Sequence, residues 1–211
     1  MKHVISQKVI INSSSEMFDL LGDASISIKN GSSVVLDKNC SFDSFVTFSG
    51  NCLVSSGTKI SSGVVLENTN VGINNTIRPY SIITNTTVES NNILGPFCFI
   101  RDQSLIKNSC IIGAHVEMTR STISNNVKIS HKAFIGDAWI GENVVIGAGT
   151  IFCNWNGSEH CLSEVGSNTL IGSGTLIISP VKIGSHCTIG AGSVVSKDVP
   201  RQSRFIQKRS N

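Results

Sequence analysis

Large aliphatic and aromatic residues recur along this chain every six positions. Leu36, Phe42, Phe48, Val54, Ile60 and Leu66 form one unbroken run, and Val165, Ile171, Ile177, Ile183, Ile189 and Val195 form another. Between them the period continues with occasional five-residue steps through Val71, Ile77, Ile83, Val88, Leu94, Ile100, Leu105 and Ile111, then Ile123, Ile129, Ile135, Ile140, Ile146 and Phe152. Gly often follows the marked residue, as in Val71-Gly72, Ile146-Gly147, Ile171-Gly172 and Ile189-Gly190. An amphipathic helix needs apolar steps of three and four, and a hairpin sheet needs alternation broken by irregular turns. Neither pattern is present. Each six-residue unit instead predicts a short strand followed by a corner at which Gly or Asn permits the turn.

This signature resembles that of the left-handed parallel β-helix acyltransferases, in which three hexads make one triangular coil. The resemblance implies an all-β fold in which residues 36–195 form roughly nine coils stacked at ~4.8 Å, a prism about 40 Å tall. Inward aliphatics would stack in ladders and backbone amides would pair between coils, so each coil depends on its neighbours. The β-helix is expected over 31–199. Residues 153–164 (CNWNGSEHCLSE) carry no hexad and are expected to leave it as a loop, the kind of segment that carries specificity on a rigid scaffold. Residues 1–30 lack a clean register and are expected to cap the first coil, with a short helix over Met17 to Leu21. Pro200 ends the periodicity and leaves a basic tail over 200–211.

Composition agrees with one such domain. The chain has 211 residues, 40% of them hydrophobic, which excludes disorder as the main state, and its 15% charged content is low for a soluble protein but normal for stacked β-coils. Seven cysteines are scattered singly without a C-x-x-C pair, so neither a disulfide framework nor a zinc knuckle is expected, and the reduced cytoplasm is the simpler home. No apolar run approaches the ~18 residues of a membrane span, and Lys8 and Asn12 break the cluster Val9-Ile10-Ile11, which reads as a chain without an export signal. The net charge of +3 is mild, yet Arg201, Arg204, Lys208 and Arg209 gather at the end with no acid among them. A local cationic patch suits an anionic cofactor better than a nucleic-acid surface.

The motifs LGPF (94–97), IGAHVE (112–117), ISHKAFIGDAWIGENVVIGAGTIFCNWNG (129–157), IGSGTL (171–176) and IGAGSVVSKDV (189–199) resemble one family closely. It is the acetyltransferase half of the bacterial bifunctional N-acetylglucosamine-1-phosphate uridyltransferase and glucosamine-1-phosphate acetyltransferase. The resemblance covers about half the chain, and no Gly-rich GTRM-type nucleotide loop of the uridyltransferase half occurs in residues 1–93.

What the resemblance implies can be carried over residue by residue. His131 matches the general base that takes a proton from the acceptor amine as it attacks the thioester of acetyl-CoA. Imidazole suits that task, because it ordinarily titrates near 6.5, and positioned proton transfer is worth roughly 10²–10⁴ in rate. Glu117 matches the acid that helps to hold the base. By spacing it also falls on the hexad register between Ile111 and Ile123, where an inward carboxylate requires a partner. A local register shift would instead turn it to solvent. Asn154 matches the residue at the acceptor's reacting end, where an amide can orient the nucleophile or steady the oxyanion; Asn-x-Asn-Gly is also good turn chemistry. Ala148, Ser173 and Ala191 fall at pantetheine-contacting positions. Lys208 matches a cation that reaches the cofactor's phosphates, with Arg209 or Arg204 as substitutes.

The acceptor grip departs from the family pattern. Of an Arg, a Lys, a Tyr, an Asn and a second Lys that hold glucosamine-1-phosphate, only the Arg remains, as Arg101. The other positions read Thr119, Phe134, Val145 and His160. Losing charge-assisted hydrogen bonds of this kind typically removes ~1.5–3 kcal/mol each. The expectation is a retained transfer machinery and a rebuilt, more apolar acceptor pocket that includes Phe134, Val145 and Trp155. Such a pocket suits a nucleotide-linked or lipid-linked amino sugar stacked on an aromatic ring, with amine acceptors favoured over hydroxyls. The resemblance further implies a homotrimer with the cofactor between neighbouring prisms. Two other classes compete with this reading. A zinc hydratase on the same scaffold needs three converging imidazoles, and His115, His131, His160 and His186 show no tight ligand spacing. A non-catalytic repeat scaffold predicts no dependence on His131.

Overall fold

A computed structural model of the chain describes residues 3–12, 17–18 and 26–207. Strands of two to four residues wind into a triangular prism whose sides are three sheets of 11, 10 and 11 strands. Taking the sides in the order the chain meets them, face 1 begins with Ile26–Ile28, face 2 with Ser33–Leu36 and face 3 with Ser41–Phe42. Nine complete coils run from residue 26 to residue 189, and a tenth begins at Val194–Val195. The described residues include no helix.

Each short strand sends one side chain inward, or two in longer strands such as Ser33–Leu36, and parallel register stacks these side chains from coil to coil. On face 3 Phe42, Ile60, Ile77 and Leu94 form one such ladder, and on face 1 Phe48, Leu66, Ile83 and Ile100 form another, all essentially sealed from solvent. Burying a side chain of this size contributes about 1.5–3 kcal/mol, so the ladders supply the cohesion that such short strands cannot. The corners turn through left-handed backbone. Asn74, Asn91, Asn126, Asn143 and Asn168 repeat at one edge with φ between 57° and 63°, a conformation that Asn tolerates better than other side chains. The seven cysteines are free, and burial pushes the thiols of Cys40, Cys98 and Cys110 up to about 11.

The inward register differs from the expected one between residues 100 and 123. Ile106, Ile112 and Met118 are fully buried, and Leu105, Ile111 and Glu117 face outward beside them. The cause is a corner one residue longer than its neighbours. Where Asn68, Asn85 and Asp137 each turn the same edge alone, Asp102 and Gln103 are both left-handed, with φ of 55° and 59°. The step from Ile100 is therefore six residues, and the five-residue step falls later, from Met118 to Ile123.

Both ends depart from expectation as well. Met17–Phe18 is a strand that pairs antiparallel with Ile26–Ile28, in place of the expected helix; residues 19–21 lie outside the described residues. His3–Val4 and Val9–Asn12 pair antiparallel with the first strands of faces 3 and 2, covering the otherwise open edge of the first coil. Beyond Pro200, Arg204–Phe205 rejoins face 3 as a parallel strand against Thr188–Ile189. Lys208 and Arg209 lie outside the described residues. The extruded loop is narrower than 153–164, because Cys153 and Ser163–Val165 belong to strands.

Candidate active site

His131 ends the face 3 strand Lys128–His131, opposite Ala114, and Lys132 then turns the chain onto face 1 with φ 44°. The same corner recurs in the next three coils, with Ala148, Ser173 and Ala191 in the place of His131. Each is followed by a glycine in left-handed backbone, Gly149, Gly174 and Gly192, at φ 74°, 69° and 71°. The amides of these glycines donate to Lys132 O, Ala148 O and Ser173 O, each at 2.8 Å. His131, Ala148, Ser173 and Ala191 thus form one exposed column rising ~4.8 Å per coil. Above His131 the edge is bare backbone with small side chains. Below it the corner carries stacked rings, Tyr80 on Phe97 at 5.5 Å and Phe97 on His115 at 5.3 Å.

The outer side of face 1 brings together Arg101, Glu117, Thr119 and Phe134. Glu117 lies in register between Phe99 and Phe134, and Thr119 between Arg101 and Gly136. Arg101 reaches along the sheet, donating from Nη2 to Glu117 Oε1 at 2.8 Å and from Nη1 to Asp102. Thr119 Oγ1 donates to Asp102 Oδ2 at 2.9 Å, and this bond, together with Arg101, holds the Asp102 carboxyl below the usual range against the opposing effect of burial. Glu117 is therefore an outward carboxylate paired with Arg101, and the register shift resolves its placement.

A second cluster sits where face 1 turns into face 2. Arg120 donates from Nε and Nη2 to the two oxygens of Asp137. Asn154 Nδ2 donates to Asp137 Oδ2, and His160 Nδ1 lies 3.3 Å from the same oxygen. Burial works to raise the Asp137 carboxyl, but hydrogen bonds from Arg120 and Asn154 outweigh it and hold the group below the usual carboxylate range. The backbone of Asp137 also anchors the loop's return, since Ser163 N donates to its carbonyl at 3.0 Å. Within the loop, Trp155 bridges to His160, and their rings meet edge-on at 5.1 Å. Gly136 is needed for this arrangement, because a Cβ there would collide with Asn154 Nδ2 and come within 2.8 Å of Phe134 Cζ.

Of the residues singled out by sequence, Arg101, Glu117, Thr119, Phe134, Asn154, Trp155 and His160 share face 1 and its adjoining corner. His131, Ala148, Ser173 and Ala191 share the opposite edge of that face. Val145 stands apart on face 3 between Lys128 and Leu170. Asp102, Arg120 and Asp137 were not singled out, although their clustering organises the site. The available signal was their position, an ionic residue closing a face 1 strand in three successive coils. Among the described residues no group of three or more His, Cys, Asp or Glu side chains is arranged to hold a metal ion.

Residues 163–197 match the family described as bacterial transferase hexapeptide (six repeats). The chain is 35% identical over 191 residues to the bifunctional protein GlmU of Baumannia cicadellinicola subsp. Homalodisca coagulata, covering 90% of this chain and 39% of that protein. The repeat of the hexapeptide family is thus present in this chain. The chain is also 36% identical over 182 residues to the bifunctional protein GlmU of Thermodesulfovibrio yellowstonii, with 86% of this chain and 39% of the relative covered. It thus spans well under half the length of these curated relatives. The solved UDP-N-acetylglucosamine acyltransferase of Francisella novicida superposes with a TM-score of 0.54 at 16% identity, covering 78% of this chain and 67% of that one. The fold is accordingly the left-handed parallel β-helix that the resemblance implies.

Proposed function

We propose that the protein is an acetyl-CoA-dependent acetyltransferase acting on an amino sugar in nucleotide-linked or lipid-linked form, with His131 as general base. The observation that carries this reading is the column in which His131 stands at the foot of the bare edge formed by Ala148, Ser173 and Ala191. A slender pantetheine arm fits an edge without projecting side chains, and its exposed backbone groups offer hydrogen bonds. When bound, acetyl-CoA supplies the activated acyl thioester. His131 accepts the proton that the acceptor amine loses on acylation; Asn154 stands on the far edge of face 1, so its amide orients the same acceptor where a neighbouring prism of the homotrimer brings the two edges together. Arg204, with Lys208 or Arg209 beyond it, provides positive charge for the cofactor's phosphates.

The acceptor end supports divergence from glucosamine-1-phosphate. Both nearby guanidiniums are engaged by this chain's own carboxylates, Arg101 by Asp102 and Glu117 and Arg120 by Asp137, so much of their charge is already matched within the chain. Phe134 and Trp155 offer ring surface to a sugar instead. An outward apolar column on face 1, with Ile82, Phe99, Phe134, Ile151, Leu176 and Val194 in register around Glu117, supports packing against neighbouring prisms in a homotrimer. Free cysteines suit a cytoplasmic setting.

Thiol release from acetyl-CoA, measured across amino sugars, nucleotide sugars and hydroxyl sugars, tests the reading. Turnover is expected with an amino sugar carried on a larger group. Comparable turnover with glucosamine-1-phosphate overturns the rebuilt pocket, and no turnover with any acceptor favours a non-catalytic scaffold.

A further inference from the structure

Asn154 is 7% exposed and leads into the extruded loop, yet its amide is not self-contained. One N–H of its nitrogen is bonded to the carboxylate of Asp137, while no donor among the described residues reaches Oδ1. A carboxylate accepts hydrogen bonds and, when ionised, donates none, so this pairing determines which end of the amide is which. Asp137 is held ionised by the bidentate Arg120 and keeps that polarity near neutral pH. With Nδ2 turned down to Asp137 and lying over Gly136 beside the Phe134 ring, Oδ1 is left at the diverging end of the carboxamide.

We infer that Asp137 is a positioning residue that aims the Asn154 carboxamide oxygen at the acceptor, so that Asn154 receives a hydrogen bond from the acceptor's amine. This rests on the acetyltransferase reading and deepens the orienting role of Asn154. One N–H of the amide is engaged by Asp137, and the carbonyl oxygen at its other end is the group aimed at the nucleophile. Arg120 and His160 act on the same carboxylate from below and from the loop, so the loop's entry, its cross-bridge at His160 and its return at Ser163 are all tied to one residue. No proton is transferred by Asp137 in this role.

Asp137→Asn tests the inference, because an amide at 137 can pair with either end of Asn154. On the full chain the expected result is a fall in kcat on the order of 10–100-fold, the cost of misplacing a group at the reacting centre, with KM for acetyl-CoA unchanged. The double variant Asp137→Asn/Asn154→Ala is expected to be no slower than Asn154→Ala alone, since both remove the same aimed oxygen. Should Asp137→Asn fold poorly, Gly136→Ala provides a second route, because its Cβ meets the Asn154 amide without altering any charge; since it also meets Phe134 Cζ, a shift of the Asn154 side-chain amide resonances is the readout expected there. The Asn154 side-chain amide resonances, assigned with Asn154→Ala, give a readout that does not depend on turnover and should move in Asp137→Asn. Wild-type turnover together with full kcat in Asp137→Asn, or losses that multiply in the double variant, overturns this inference alone. Absence of turnover in the wild type with every acceptor overturns the acetyltransferase reading and, with it, the catalytic role given to Asp137.

Discussion

Arg120 holds Asp137 through two parallel hydrogen bonds, Nε to Oδ1 at 2.7 Å and Nη2 to Oδ2 at 2.9 Å. The two residues lie in successive coils, so the pair braces one corner of the prism against the next and gives the loop over 154–162 a fixed base. Asp137 is mostly buried, and an ionised carboxylate there depends on its partners.

The sign of the resulting pH dependence follows from the lowered carboxyl. A group whose value falls on folding stabilises the native state above its unfolded value, about 3.9 for Asp, and that contribution is lost as pH drops through the lower folded value. The melting temperature of the wild type is therefore expected to exceed that of Asp137→Asn at pH 6, with the gap closing below about pH 4. Parallel melting curves over pH 3–6 with a constant gap would contradict the assignment.

The observed register around Glu117 makes a second comparison possible between adjacent residues. Met118→Ala removes a fully buried side chain from the face 1 ladder and is expected to cost about 2–5 kcal/mol in denaturant unfolding. Glu117→Gln, on the outer surface, is expected to change stability by no more than about 1 kcal/mol. Reversal of that order would restore an inward Glu117.

Ala148→Phe places a ring on the bare edge one coil above His131. Because Ala148 is exposed, stability should be unaffected, while KM for acetyl-CoA should rise at least tenfold, roughly 1.4 kcal/mol of lost binding. Steady-state kinetics with varied acetyl-CoA decide; an unchanged KM removes this edge from the cofactor path.

His131→Ala should reduce turnover by about 10²–10⁴ while leaving the melting temperature and the oligomeric state as they are. Its side chain is solvent-facing, so a structural collapse is not expected. Retained thiol release would show that another group accepts the proton.

Period six alone was enough to identify an all-β coil, because an inward residue once per short strand leaves a trace that no helix or hairpin sheet produces. Leu36 to Ile100 and Ile123 to Val195 fall on the core ladders as the spacing demands. The likeness of residues 129–157 to a known transferase was likewise written in local sequence, since His131 and Asn154 keep their spacing whatever the chain does between them.

Side-chain direction between residues 105 and 117 needed the folded chain. Leu105-Ile106 and Ile111-Ile112 are each pairs of aliphatics, so hydropathy cannot say which member faces inward; the two-residue left-handed corner at Asp102-Gln103 decides it, and thereby turns Glu117 outward to Arg101. The partners of Asp137 were equally hidden. Arg120, Asn154 and His160 meet it only because parallel coils bring residues separated by 17, 17 and 23 positions onto one corner, and proximity of that kind is created by stacking rather than by neighbouring sequence.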